Sequence, residues 1–283
     1  MAPTAFALGS AIALLHAAGC ILPNPAYDTP STGGDSDSGT AGSTTSDGSM
    51  TIGNTAGEQC ESELCLYLDP PPIACYEFED DSAVLTDERG CGRDGTISGV
   101  TKVPGVHGSG ARVTDTSMII IPGGVWPELP NLTITAWIAI PTDKNDDALL
   151  FRKSGHFEVG LRAPADPMMN WKLTCAIVDN KLSADYSVLS ANGAWNMISC
   201  GCVAPPNDPG LCTSVFSSVN GSIIPGDDSN LSKPLENEAT LELAPDFDGC
   251  VDSIQMWSRA LTDVELVALY NFGKGTMPSP CEG

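Results

Sequence analysis

Basic side chains are scarce in this chain of 283 residues: 13 Lys and Arg stand against 36 Asp and Glu, a formal charge of -23. None occurs before Arg89, and only Arg152 and Lys153 are adjacent. Five of the acidic residues precede Glu61, so the chain from there on carries 31 acidic against 13 basic groups, a formal -18. Such a surface repels nucleic acid and anionic polysaccharides and has no basic patch to offset the repulsion. Neutral glycans, proteins and cations remain as partners, and the same charge keeps an exported protein soluble. Histidine is nearly missing too. A Ser-His-Asp arrangement would have to use His107 or His156, and there is no G-x-S-x-G elbow. Phosphate loops and dinucleotide fingerprints are absent. Aromatics are sparse, with five Trp, five Tyr and seven Phe, yet 42% hydrophobic content is ordinary for a chain that buries a core.

Cysteine is plentiful by contrast. Setting Cys20 aside, ten of the eleven remain: Cys60, Cys65, Cys75, Cys91, Cys175, Cys200, Cys202, Cys212, Cys250 and Cys281. An even number suggests five disulfides formed in an oxidising compartment. Zinc is the competing use, but Cys60-x4-Cys65 and Cys200-x-Cys202 lack paired C-x-x-C spacing. The connectivity is open, with Cys202 to Cys212 across the VAPPNDPGL loop as one suggested pair.

Residues 1–19 form an uncharged Ala/Leu-rich run, too short and too broken by Gly and His for a membrane span. It ends in Ala17-Ala-Gly-Cys20, which resembles a bacterial lipobox, where the signal is cut before a cysteine that receives diacylglycerol. The resemblance implies a lipid anchor on Cys20. Ile21, rather than Asp, follows the cysteine, which permits transfer to the outer membrane. An ordinary cleaved signal is the rival and would leave a secreted protein with an odd cysteine count. The expected location is the cell envelope, as an outer-membrane lipoprotein facing the surface or the periplasm. Residues 20–59 are rich in Ser, Thr, Gly and Asp and cannot bury enough surface to offset chain entropy. They are expected to be a disordered tether, spanning roughly 35 Å root-mean-square.

Helical periodicity is almost absent before Leu261, and short alternating segments take its place. Leu132 to Ile140, Ala148 to Phe151, His156 to Leu161, Trp171 to Val178, Trp195 to Cys200, Ser214 to Val219 and Thr240 to Leu243 read as strands. Asn220-Gly221 is a strong hairpin turn. The spacing predicts an all-β antiparallel sandwich. Near the C-terminus, GCVDSIQMWSRALTDVELVALY joins a period-2 strand to a helix. Thr262 and Glu265 form a capping box there, with Leu261 and Leu266 as its hydrophobic staple.

This closing segment resembles that of the laminin-G-like jelly-roll domains of the concanavalin A-like lectin and glucanase superfamily. Further pieces are similar in the same order: Tyr76-x-Phe78-Glu79, Asp87 to Thr96, Val103 to Gly110, Ile134 to Trp137, Arg152 to Gly155, Gly193-Ala-Trp195 and Val219-Asn-Gly221. The resemblance covers about 75 to 270. It implies a jelly roll over 75–283 with a short C-terminal helical turn, and leaves residues 60–74 as a Cys/Pro-rich cap. It departs from the family where a cysteine-rich insertion, Cys200 to Cys212, replaces a T-Y-D-G turn. In this family the first and last strands are neighbours and commonly hold one calcium ion. Residue-for-residue resemblance names Glu79, Asp87, Asp94 and Asp252 as its ligands. The acidic crowding of both segments points the same way, since converging carboxylates repel unless a cation lies between them.

Core positions are expected for Trp137, Trp195 and Trp257, the last on the inward set with Val251. Trp126 and Trp171 sit by loops and are the candidates for presenting an aromatic face to a ligand. The glucanases of this superfamily use an E-x-D-x-x-E strand. Glu236-Asn-Glu238-Ala-Thr-Leu-Glu242 comes nearest and lacks the spacing, so no enzyme is expected. The reading is a surface-anchored, calcium-stabilised, non-catalytic binding or adhesion module for a glycan or a protein. A structural envelope or matrix protein without a soluble ligand, and a glycoside hydrolase or lyase, are the alternatives.

Overall fold

The structure is a computed structural model describing residues 64–123, 131–166, 169–177, 186–189, 191–204, 212–228, 238–274 and 281. Every described residue belongs to one compact unit, Glu58–Gly283. The leader, the tether, Cys20, Cys60 and Trp126 lie outside the described residues.

Sixteen strands build two antiparallel sheets. In chain order they are β1 (Ala74–Tyr76), β2 (Val84–Leu85), β3 (Gly95–Ser98), β4 (Thr101–Pro104), β5 (Ser109–Val113), β6 (Met118–Ile121), β7 (Leu132–Ala139) and β8 (Ala148–Lys153). They continue as β9 (Phe157–Arg162), β10 (Trp171–Ile177), β11 (Tyr186–Leu189), β12 (Trp195–Val203), β13 (Ser214–Val219), β14 (Ser222–Asp228), β15 (Leu241–Leu243) and β16 (Gly249–Trp257). The first sheet runs β14-β13-β12-β7-β16-β5-β4, with β1 also beside β16. The second runs β11-β10-β9-β8-β15-β6-β3-β2. One helix, α1 (Asp263–Lys274), follows β16. No helix among the described residues is long and apolar enough to cross a membrane.

Alternation decides which side chains enter the sandwich. On β7, Ile134, Ala136 and Ile138 face inward, and their partners Cys200 and Ile198 on β12 do the same. From the other sheet, Ile119, Ile121, Val159, Leu161, Leu173, Leu241 and Leu243 complete the main core. Cys175 on β10 is bonded to Cys200 on β12, so this disulfide bridges the two sheets.

The outer face of the first sheet is also buried. Trp137, Trp195, Met197, Phe216 and Trp257 form a second core with Leu261, Leu266 and Leu269 of the α1 segment. All eight residues of β7 are therefore buried. The helix starts as the sequence reads: Thr262 N–H donates to Glu265 Oε2 at 2.8 Å, and Glu265 N–H donates to Thr262 Oγ1 at 3.3 Å. Trp137 stacks on Tyr270 with ring centroids 5.7 Å apart, and Gly273 lets the helix backbone approach its indole.

Strand β16 corrects one expectation. A bulge lies between Asp252 and Gln255, where Ser253 takes a φ of 49°. The extra residue breaks the alternation, so Val251, Ile254 and Met256 face inward while Trp257 joins the second core outside. Trp171 is a second correction. Its indole is 3% exposed and packed in the main core, because β10 begins at this residue and carries it inward with Leu173 and Cys175. It presents no face to solvent.

Candidate functional site

The four carboxylates named from the sequence separate into two pairs. No three of them bring oxygen atoms within 4.8 Å of one another; among the described residues, that closeness is met by Cys65, Cys75 and Glu77 alone. Those two cysteines are bonded to each other, so they offer no thiolate to a metal.

The first pair, Asp87 and Asp94, is taken up by local structure. Asp87 is 1% exposed, and its Oδ1 accepts from the amides of Cys75 and Arg89, both at 3.1 Å. Arg93 approaches Oδ2 at 3.7 Å and itself donates to the Ile73 carbonyl at 2.6 Å. Asp94 Oδ1 accepts from the Asp87 amide at 2.8 Å. Burial raises the Asp87 pKa above its ordinary value in spite of these amide bonds. The pair pins the 87–94 loop to β1.

The second pair, Glu79 and Asp252, clasps the turn between β4 and β5. Asp252 sits where β16 changes neighbour: Gly249 to Val251 pair with β5, and Ile254 to Met256 pair with β1. Its carboxyl faces the gap between those two strands. Oδ2 accepts from the His107 amide at 3.0 Å, while Oδ1 is buried with no hydrogen-bond partner among the described residues. Gly105 is required here, since a Cβ on it would meet Asp252 Oδ2 at 2.5 Å, and Gly110 packs tightly, since a Cβ on it would lie 3.0 Å from the Val251 carbonyl oxygen and 3.2 Å from Trp195. Asp252 is wholly buried, and desolvation pushes its pKa up to about 7, helped by the charge of Glu77 and opposed by the turn amides. Glu79 grips the turn from the other side, accepting from the Ser109 amide at 2.9 Å.

Two further groups stand beside this turn, neither of them among the ligands named from the sequence. Glu77 shares the alternate face of the chain with Glu79, and its Oε1 lies 4.0 Å from Cys65 Sγ, a contact without a proton because that sulfur is oxidised. A strand pattern with carboxylates at 77 and 79 and apolar Tyr76 and Phe78 between them carries that signal. His107 packs its ring on Phe272 of α1, with centroids 5.3 Å apart and the planes 22° from parallel. Phe272 in turn meets Tyr67 of the cap at 4.4 Å. Burial lowers the His107 pKa, and Glu79 opposes that shift.

Between described residues, four disulfides hold the framework: Cys65–Cys75, Cys175–Cys200, Cys202–Cys212 and Cys250–Cys281. Cys91 is disulfide-bonded as well. The expected Cys202 to Cys212 pairing is present. Asp248, part of the acidic crowd in the last strand, is engaged by Arg112 at 2.5 Å and by Lys144.

No protein-family model matches this chain, and no curated protein does. Solved structures do. Domain 4 of AbnA, a GH43 extracellular arabinanase from Geobacillus stearothermophilus in complex with arabinotriose, matches with a TM-score of 0.53 at 18% identity, over 70% of this chain and 98% of that domain. The binding domain of Paraclostridial Mosquitocidal Protein 1 matches with a TM-score of 0.52 at 16% identity, over 71% of this chain. The binding domain of botulinum neurotoxin DC in complex with SialylT gives 0.51 at 13% identity, over 73%. In these two toxin cases the chain spans about half of the other domain's length, 52%. At such identities the likeness establishes the fold, a two-sheet antiparallel sandwich of jelly-roll type.

Proposed function

We propose that this chain is a non-catalytic binding module of an exported protein, with a glycan or a protein at the cell surface as its ligand. The observation that carries the reading is the sandwich itself. It is shared with an arabinanase domain solved in complex with arabinotriose and with toxin domains solved as binding domains, one of them in complex with SialylT. Four disulfides suit export to an oxidising compartment. The test is a glycan array and a surface-protein overlay with the purified chain, alongside assays for sugar release from β-glucans and arabinans. Binding without release supports the reading, whereas release of reducing sugar overturns it.

Calcium belongs to the same proposal, at Glu79 and Asp252 rather than at all four carboxylates. Its support is a single hard-oxygen donor, the buried Oδ1 of Asp252, which has no hydrogen-bond partner among the described residues and on which the charge of Glu77 acts. A calcium ion would neutralise that charge and brace the turn. Calcium should raise the melting temperature and chelator should reverse the rise. An unchanged melting curve would remove the ion from this reading.

The lipid anchor on Cys20 is the third part. Incorporation of labelled palmitate that disappears in Cys20→Ala supports it, and a freely secreted wild-type protein would not.

A further inference from the structure

Large apolar side chains are mostly buried, yet Leu66 and Tyr67 stand side by side at 53% and 42% exposure. They follow Cys65, which is fully buried and bonded to Cys75 beside β1, so the backbone under them is anchored. Tyr67 is also held by its ring. It leans on Phe272, which leans on His107, giving a file of three rings that joins the cap, the C-terminal turn of α1 and the β4–β5 turn. An aromatic held in place from two sides loses little freedom when something stacks on its open face. Polar groups border the file. Glu79, on the segment after β1, is exposed and accepts from the Ser109 amide at the end of the turn that carries His107, and His107 Nε2 is buried with no hydrogen-bond partner among the described residues.

The border restricts what fits. Glu79, Asp80 and Asp81 are exposed, Lys102 offsets Asp81 at 3.2 Å, and the local balance stays acidic on a chain that carries -23, which repels carboxylated or sulfated sugars. A quaternary ammonium needs rings arranged around a hollow, and here the rings lie against each other at 4.4 and 5.3 Å. A stable protein partner needs about 800 Å² on each side, far more than two exposed apolar side chains present. A neutral sugar ring meets every condition, since its C–H face covers an aromatic while its hydroxyls reach a carboxylate.

We propose that the rim where the cap, the β4–β5 turn and α1 meet is a stacking subsite for a neutral oligosaccharide, with the open face of Tyr67 as its platform and Glu79 as a hydroxyl acceptor. The proposal rests on the binding-module reading and gives that reading a location. It is tested by calorimetry of the full chain with arabinotriose, cellotriose and a sialylated trisaccharide. A neutral trisaccharide should bind the wild-type protein, with at least a tenfold loss in Tyr67→Ala, near wild-type affinity in Tyr67→Phe and equal or tighter binding in Tyr67→Trp. Thr96→Ala, on the outer face of the second sheet, should change nothing. If Tyr67→Ala does not fold, failure of Tyr67→Trp and Tyr67→Phe to track ring size overturns the platform. Wild-type binding that persists in folded Tyr67→Ala, or preference for the sialylated sugar, overturns the subsite and leaves the binding module standing. No binding of any sugar by the wild-type chain overturns the subsite, and silence in the protein overlay as well overturns the module.

Discussion

Asp87 and Asp252 are both buried carboxylates at the junction of the first and last strands, yet their surroundings differ in kind. Asp87 is met by two amides on one oxygen, and its other oxygen, although without a hydrogen bond among the described residues, has the Arg93 guanidinium 3.7 Å away to answer its charge. Asp252 is met by the His107 amide on one oxygen, and its other oxygen has no hydrogen-bond partner among the described residues while the charge of Glu77 acts on the group. The first is a structural anchor whose removal strands partners. The second is an unanswered group at a place where the strand it sits on changes neighbour. The difference shows that acidic residues crowded in sequence reveal their role only through what their oxygens touch.

The sharpest way to break the comparison is to truncate the anchor. Asp87→Ala leaves Arg93 and two amides facing a void and should cost about 3–5 kcal/mol in denaturant unfolding, with or without calcium. A cost below 1 kcal/mol would show that the loop does not depend on this carboxylate. Asp252→Asn should act in the opposite direction in chelator. Its folded pKa is raised from 3.8 to about 7, so the native state keeps a proton that the unfolded chain has released. The stability that proton supplies is full below pH 4 and is lost as pH rises through 7. The asparagine variant should therefore be more stable than wild type by about 2–4 kcal/mol at pH 8, and level with it near pH 4. Equal pH profiles for the two proteins would overturn the assignment.

His156 gives a contrast of opposite sign on the second sheet. It is buried at the β8–β9 turn, where burial first and Lys153 second lower its pKa from 6.5 to about 4. Its contribution is present above pH 6.5 and is lost as pH falls through 4, because the unfolded chain takes up the proton first. His156→Leu should gain about 2–3 kcal/mol on wild type at pH 4 in chemical denaturation. An unchanged difference between pH 4 and 7.5 would refute it. The smallest effect is at the helix start, where Thr262→Ala should cost about 1 kcal/mol by loss of its cap, read as a shift in denaturation midpoint.

Much of the fold was legible because it rests on period and local chemistry. The β7 alternation, the Asn220-Gly221 turn and the Thr262–Glu265 box are each decided within a few residues. The inward and outward assignment of β16 was not legible, because a single bulged serine reverses it and nothing in Val251 to Trp257 marks Ser253 as the extra residue. Trp171 was misplaced for a related reason. A loop-flanked tryptophan reads as exposed until the register of β10 against β9 sets its direction. At the site, Glu79 and Asp252 were found through the order of motifs, and both do reach one turn. Asp87 and Asp94 carry the same charge in the sequence, but their amide partners come from residues up to twelve positions away, which charge counting does not see.

The divided loyalty of β16 has a consequence for any trimmed version of this protein. Three of its residues near the C-terminal end, Ile254 to Met256, have β1 as their neighbour on one side, and β1 lies near the start of the sandwich. Beginning the chain after Tyr76 would strip that side bare and leave a short apolar edge with idle amides, ready to recruit a strand from another molecule.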